Sequence, residues 1–312
     1  MSWLVMPFDR VYVRFKSNAA VGEGDHHDDP EEHSRGRGAG HRAAGPGLHA
    51  RDGWLRATIV ASPGPDYLCG MTDVAIVTEW VDLKVGDSVM SAYVARPAEP
   101  GDYPGVVVGH EIYGLHATAR AAADRLASLG VVAVMPDLFH RVAPRAELEL
   151  HVDRDRGLEL LRTLTRPEVV DDISAALDEL RRRGAVSLNM VGFSAGGHVA
   201  YYAATQLPLA VTVAFYPGWL TNTDIPLSTP EPTVEATPGI TGRVTLFFGG
   251  EDPLIDAEAR EELESALSAN NIQHEIVVYD AAPHGFLFPG RDWYRPEVAE
   301  DSWTRLADLL RG

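Results

Sequence analysis

Ser194 lies between two glycines in the segment Gly192-Phe193-Ser194-Ala195-Gly196, which follows an apolar run and precedes a helical pattern. This Gly-x-Ser-x-Gly spacing is typical of a sharp turn from a strand into a helix, where the serine hydroxyl is exposed above a sheet. Side chains at positions 192 and 196 would collide in such a turn, so glycine is expected at both. The alternative is a glycine-rich turn with an incidental serine. Partners of the serine elsewhere in the chain decide between the two interpretations.

The partners of a nucleophilic serine are a base that takes its proton and an acid that orients the base. Among the twelve histidines, His284 is the best placed, because it follows the apolar run HEIVVYD in a loop with glycine and proline. Asp252 follows the run TLFFGG, with Glu251 and Asp256 as lesser candidates for the acid. The chain order Ser194, Asp252, His284 is that of α/β-hydrolase triads, in which the serine attacks an acyl carbonyl.

Hydrogen-bond donors are also required, because the attack places a negative charge on the carbonyl oxygen. The N–H of Ala195, directly after the serine, is the first expected donor. The second should come from the loop that follows the run GVVVGH. This places the Ile112 N–H as the favoured second donor of an oxyanion hole.

Alternating strand and helix patterns make up the later part of the chain. Residues 74–81 and 88–96 are expected to form an antiparallel hairpin. Continuous β-branched runs at 105–110 and 131–135 are typical of strands buried on both faces of a parallel sheet. The alternation predicts the α/β class, with a mostly parallel, doubly wound sheet and helices on both faces. The long Pro/Thr-rich segment 221–240 is a lid candidate, because loops of this length are usually functional or mobile.

Composition divides the chain near Met71. Residues 1–70 mix Gly, Pro, His and both charge signs without an apolar period, which predicts a disordered N-terminal extension. Residues 71–312 are expected to form the functional domain. The His- and Asp-rich cluster at 26–33 could contact a metal, but nothing in its pattern fixes the ligands, so no metal site is predicted.

Charge and hydropathy exclude several classes of partner. Residues 71–312 contain 19 Lys/Arg against 36 Asp/Glu, which disfavours nucleic acid and anionic lipid surfaces. No apolar run approaches the roughly 20 residues of a membrane span, and the first residues lack the basic region and cleavage site of a signal peptide. The only cysteine, Cys69, excludes an internal disulfide. We expect a soluble cytoplasmic protein with a small-molecule partner; the sequence does not indicate an oligomeric state.

A series of motifs resembles, in order, those of the dienelactone hydrolase family of α/β-hydrolases. The motifs are VVVGHEIYGL (106–115), GVVAVMPDLFHR (130–141), VGFSAGG (191–197), FFGGEDPLI (247–255) and PHGF (283–286). The resemblance covers about residues 74–311. It implies the α/β-hydrolase fold, hydrolysis of a carboxylic ester or lactone through an acyl-enzyme, and no metal or organic cofactor. It also implies that Glu111 matches a carboxylate beside the nucleophile that helps to control its protonation.

Two departures from the family pattern bear on the substrate. The best-known members use a cysteine nucleophile, whereas Ser194 needs His284 as a general base throughout. They also hold a substrate carboxylate with an arginine four residues after the histidine, where this chain has Phe288. Arg154 roughly matches a second such arginine, with Arg156 as its competitor and a plain surface arginine as the alternative. The loss of one anchor favours less charged esters or lactones.

Aromatic side chains near the predicted site are further candidates for contact with substrate, although core packing is the alternative for each. They are Tyr113, Phe193, Tyr216, Trp219 and Phe288. Two other activities stay open. One is acyl transfer or cleavage of short peptides on the same fold, and the other is a catalytically idle hydrolase-fold module that binds a ligand or partner.

Overall fold

The structure, a computed structural model, describes residues 12–15, 58–60 and 74–311. Most of the predicted N-terminal extension, including the cluster at 26–33, lies outside the described residues. The domain boundary near Met71 therefore stays a prediction.

One mixed sheet organises the described residues. Its strands are β1 (Tyr12–Phe15), β2 (Thr58–Val60), β3 (Ile76–Val85), β4 (Ser88–Pro97), β5 (Gly105–Gly109), β6 (Val132–Pro136), β7 (Leu188–Phe193), β8 (Val211–Phe215), β9 (Arg243–Gly249) and β10 (His274–Tyr279). Their order across the sheet is β1-β10-β9-β8-β7-β5-β6-β4-β3-β2. The seven strands from β1 to β6 in this order are parallel, and β4, β3 and β2 join them antiparallel in turn. The predicted hairpin and parallel sheet are confirmed.

Helices connect the strands. They are α1 (Ala117–Ser128), α2 (Arg154–Leu161), α3 (Arg166–Arg182), α4 (Ala195–Gln206), α5 (Ala257–Ala269) and α6 (Pro296–Arg311). Every residue of β5 and of β6 is buried, as expected for strands covered on both faces. None of the helices within the described ranges is long and apolar enough to cross a lipid bilayer.

Helix α2 was not predicted from the sequence, because it is short and contains glycine, which disfavours a helix interior. Gly157 is explained by a close approach of two backbones. A Cβ at this position would lie 2.7 Å from the carbonyl oxygen of Ile112. The glycine therefore lets α2 pack against the turn that follows β5.

The Pro/Thr-rich segment 221–240 packs into the core, so the prediction of a lid is wrong. Its two 3₁₀ turns, Pro226–Ser228 and Thr233–Gly239, bury Leu227 and Val234. The second turn is tied to α4, where the Thr233 hydroxyl lies 2.8 Å from His198 Nε2. A segment held by buried contacts of this kind is part of the scaffold.

Candidate active site

Ser194 occupies a sharp bend between β7 and α4. Its backbone has φ of 52° and ψ of −113°, and a positive φ is uncommon for a residue other than glycine. A Cβ at Gly192 would overlap the carbonyl oxygen of Gly196, so the bend can close only with glycine at that position. The Ser194 N–H donates to the Phe215 carbonyl at 2.9 Å, which ties the bend to β8. The local backbone thus presents the hydroxyl at the end of the central parallel strands.

Ser194, His284 and Asp252 are joined by hydrogen bonds. Ser194 Oγ lies 2.9 Å from His284 Nε2, and His284 Nδ1 lies 2.7 Å from Asp252 Oδ2. The carboxylate can only accept, so Nδ1 carries the ring proton and Nε2 is free to accept from the serine hydroxyl. The Asp252 side chain is fully buried, and its Oδ1 accepts from the Leu254 N–H at 2.8 Å. The ends of β7, β9 and β10 bring the three predicted residues together.

The two lesser candidates for the acid lie elsewhere. Glu251 is exposed. Asp256 is the N-cap of α5, where its Oδ1 accepts from the Ala259 N–H at 2.8 Å. Within the described part of the chain, Asp252 alone of these three carboxylates bonds to His284.

The predicted oxyanion donors follow the neighbouring strands β7 and β5. Ala195 is the first residue of α4, where backbone N–H groups have no partner inside the helix. Ile112 lies in the turn after β5 and lines the same pocket as Ser194. Neither N–H donates a hydrogen bond to another group within the described residues. Both are therefore available to an oxygen bound beside the serine.

Glu111 forms a buried ion pair that the sequence analysis missed. Its two carboxylate oxygens accept from Arg291 Nη1 at 3.1 Å and from Arg291 Nη2 at 2.5 Å, and each side chain is only 4% exposed. Burial lowers the pKa of Arg291, but the Glu111 carboxylate more than offsets this, so the pKa is raised above its ordinary value. Arg291 follows His284 by seven residues in a loop without helix or strand periodicity, and no local pattern marks it.

Three of the predicted aromatic contacts are core residues outside the pocket lining. Phe193 is stacked on Phe215, with ring centroids 5.4 Å apart, and its ring centroid lies 5.0 Å from that of Phe288. Phe288 is itself buried, beneath the guanidinium of Arg291. Tyr216 is fully buried behind the base, and its ring centroid lies 4.9 Å from that of His284. Burial raises the pKa of Tyr216 well above its ordinary value.

The pocket above Ser194 has a volume of about 430 Å³. Tyr113 and Trp219 line it as predicted, together with Leu158 and Trp293. Arg154 also lines it, with an exposed side chain that makes no hydrogen bond or ion pair to the described residues. Its competitor Arg156 instead pairs with Glu159 at 2.9 Å. The pocket is thus largely apolar, with an unpaired cation at its edge.

In the part of the chain that the structure describes, no three His, Cys, Asp or Glu side chains are grouped so that they could hold a metal ion.

The order of the strands and the bend at Ser194 define an α/β-hydrolase fold. Residues 90–312 match the model of the dienelactone hydrolase family. The chain therefore belongs to the dienelactone hydrolase family, which is a family of hydrolases.

Individual relatives agree with this assignment. A Synechocystis protein named as a carboxymethylenebutenolidase is 30% identical over 246 residues, which cover 76% of this chain and 98% of that protein. A Bradyrhizobium protein named as a 2-oxo-3-(5-oxofuran-2-ylidene)propanoate lactonase is 29% identical, over 77% of this chain and 96% of its own length. A crystal structure described as a dienelactone hydrolase from Klebsiella pneumoniae matches with a TM-score of 0.70 and 29% identity, over 76% of this chain and 99% of that chain.

Proposed function

We propose that this protein hydrolyses a carboxylic ester or lactone through an acyl-enzyme on Ser194. The observation that carries the proposal is the hydrogen-bonded series from Ser194 Oγ to His284 at 2.9 Å and from His284 to Asp252 at 2.7 Å. A serine has no ready anionic form at neutral pH, so a base within hydrogen-bond distance is the feature that turns the hydroxyl into a nucleophile.

In the first half of the reaction, His284 Nε2 takes the hydroxyl proton as Ser194 Oγ attacks the carbonyl carbon. Asp252 keeps the imidazole in the required tautomer and stabilises its positive charge. The carbonyl oxygen becomes negative and accepts hydrogen bonds from the N–H groups of Ile112 and Ala195. The imidazolium then protonates the leaving alkoxide. In a lactone the leaving group stays attached to the acyl chain.

In the second half, a water molecule takes the place of the leaving group. His284 removes its proton as the water attacks the acyl carbon, and the same two N–H groups stabilise the second tetrahedral intermediate. Return of the proton to Ser194 Oγ releases the carboxylic acid and restores the enzyme.

The pocket favours a compact substrate with an apolar body. Its volume of about 430 Å³ and its aromatic walls fit a small ring or short chain. The charge of Arg291 is compensated by Glu111, so the available cation is Arg154 at the pocket edge. The names of the relatives, a carboxymethylenebutenolidase and a lactonase, support a lactone or ester of this size.

A fluorophosphonate probe tests the nucleophile directly. We expect covalent labelling of the wild type at Ser194, and no labelling of Ser194→Ala. Absence of labelling in the folded wild type would favour an idle module that only binds a ligand.

A substrate panel tests the reaction class. We expect turnover of p-nitrophenyl esters and small lactones, and far slower turnover of the matching amides. Faster cleavage of amides would favour a peptidase. Transfer of the acyl group to an added alcohol in preference to water would favour an acyltransferase.

A further inference from the structure

His110 is a buried histidine that the proposed reaction does not use. It directly precedes Glu111 in the turn after β5 and is only 1% exposed. Its Nδ1 lies 2.7 Å from the carbonyl oxygen of Glu111, and its Nε2 lies 3.2 Å from the backbone nitrogen of Leu138. The Leu138 N–H can only donate, so Nε2 is the acceptor. The ring proton is therefore on Nδ1, which donates to the Glu111 carbonyl.

The surroundings keep this ring in one protonation state and one orientation. Burial lowers the pKa of His110, so the imidazole stays neutral and both hydrogen bonds keep their direction. The ring of Phe139 packs against it edge-on, with centroids 4.9 Å apart. His110 thus forms a rigid link between the turn after β5 and the loop after β6.

The Glu111 carbonyl and the Ile112 N–H belong to the same peptide group. In a planar trans peptide these two bonds point in opposite directions. The carbonyl also accepts from the Gly114 N–H at 3.1 Å, so two donors fix its direction. An orientation fixed at the carbonyl is also fixed at the N–H of Ile112, a residue that lines the pocket together with Ser194.

We infer that His110 is a positioning residue of the oxyanion hole, which orients the Ile112 N–H by holding the Glu111 carbonyl. This inference rests on the proposed function. His110 itself does not contact the substrate. Its effect falls on the charged tetrahedral intermediate, because that species accepts a hydrogen bond from the Ile112 N–H.

The test compares two replacements at one position. His110→Leu keeps an apolar side chain of similar bulk but removes both hydrogen bonds. We expect kcat for a p-nitrophenyl ester to fall about 10- to 100-fold, because a misoriented N–H loses part of the rate enhancement that one oxyanion donor contributes. KM should change less than about threefold. His110→Gln provides an amide that can donate and accept, and we expect it to recover most of the lost kcat. Affinity for an alkylboronic acid, which forms a tetrahedral adduct with the serine, should fall in parallel with kcat.

A second buried histidine serves as the control. His140 is 6% exposed and its Nε2 bonds to Asp172 at 3.1 Å, without contact to the Glu111 carbonyl. His140→Leu is expected to lower thermal stability but to leave kcat and boronic acid affinity near the wild type. If both leucine variants fold and have equal kcat values, His110 is an ordinary core residue and the inference is overturned.

A third replacement keeps the test decisive if His110→Leu does not fold. His110→Asn retains a donor close to the place of Nδ1 but has no acceptor for the Leu138 N–H. It is expected to lose stability while keeping kcat within a few-fold of the wild type. A large loss of kcat in a folded His110→Asn would contradict the inference. Full activity of Ser194→Ala on the same ester would instead overturn the proposed function, whatever the behaviour of His110.

Discussion

Replacement of Arg291 by methionine tests the buried ion pair with Glu111. Methionine retains an unbranched apolar side chain against Phe288, so the change mainly removes the guanidinium and its two hydrogen bonds to the carboxylate. Both partners are 4% exposed, which leaves the Glu111 carboxylate almost without access to water. Removal of one partner from such a pair commonly costs about 3–5 kcal/mol, because a buried charge is left uncompensated. For a domain of this size, we expect the Tm to fall by roughly 6–20 °C.

Urea denaturation of the wild type and of Arg291→Met at pH 7 measures the loss of stability. Arg181→Met is the matched control, because Arg181 pairs with Asp178 on the surface, with side chains 48% and 71% exposed. Such a pair is worth at most about 1 kcal/mol. A loss of stability in Arg291→Met no larger than in Arg181→Met would refute the view that Arg291 compensates a buried charge on Glu111.

Three further predictions concern specificity, catalysis and acid stability. Arg154→Ala should raise KM for an ester that bears a carboxylate but not for its neutral analogue. Arg156→Ala is the control and should change KM for neither ester. Equal effects of the two variants would show that Arg154 does not bind the substrate. Asp252→Asn should lower kcat by about 10⁴-fold, because the imidazole loses the partner that fixes its tautomer, and a loss below tenfold in steady-state assays would contradict its assigned role. Burial lowers the pKa of His198 to about 4, so below about pH 6.5 the unfolded chain binds a proton that the folded protein does not. This group alone should therefore lower the free energy of unfolding by roughly 3 kcal/mol between pH 6.5 and pH 4, and His198→Asn should weaken the pH dependence in urea titrations by that amount.

The fold could be predicted to a large extent because its strands are continuous apolar runs punctuated by glycine. Residues 105–110 and 131–135 correspond closely to β5 and β6, and the bend at Ser194 was marked by its glycines. Helix α2 was missed because the reason for Gly157 is a contact with Ile112, which lies far away in the sequence. A lid was expected at 221–240 because a proline-rich composition does not reveal burial.

The three triad residues could be predicted because their positions along the chain, each directly after a strand, carry information about the site. Each of Ser194, Asp252 and His284 follows a strand, and parallel strands bring such positions to one edge of the sheet. Arg291 had no comparable signal, because its role depends on the fold of a loop. Some of the aromatic candidates line the pocket and others lie in the core. Periodicity could not separate them, because it does not tell whether a ring such as Phe288 or Trp219 faces the core or the pocket.

The connection between β10 and α6 couples two parts of the active site. The same short stretch of chain carries His284, the partner of the serine, and Arg291, the partner of Glu111. Within this stretch the Arg295 N–H donates to the Phe286 carbonyl at 3.0 Å. Phe286 and Phe288 of this stretch are buried, so a substitution that loosens their packing would displace the proton acceptor of the serine and the neutralising charge of Glu111 together. Proton transfer and charge balance therefore depend on the same packing.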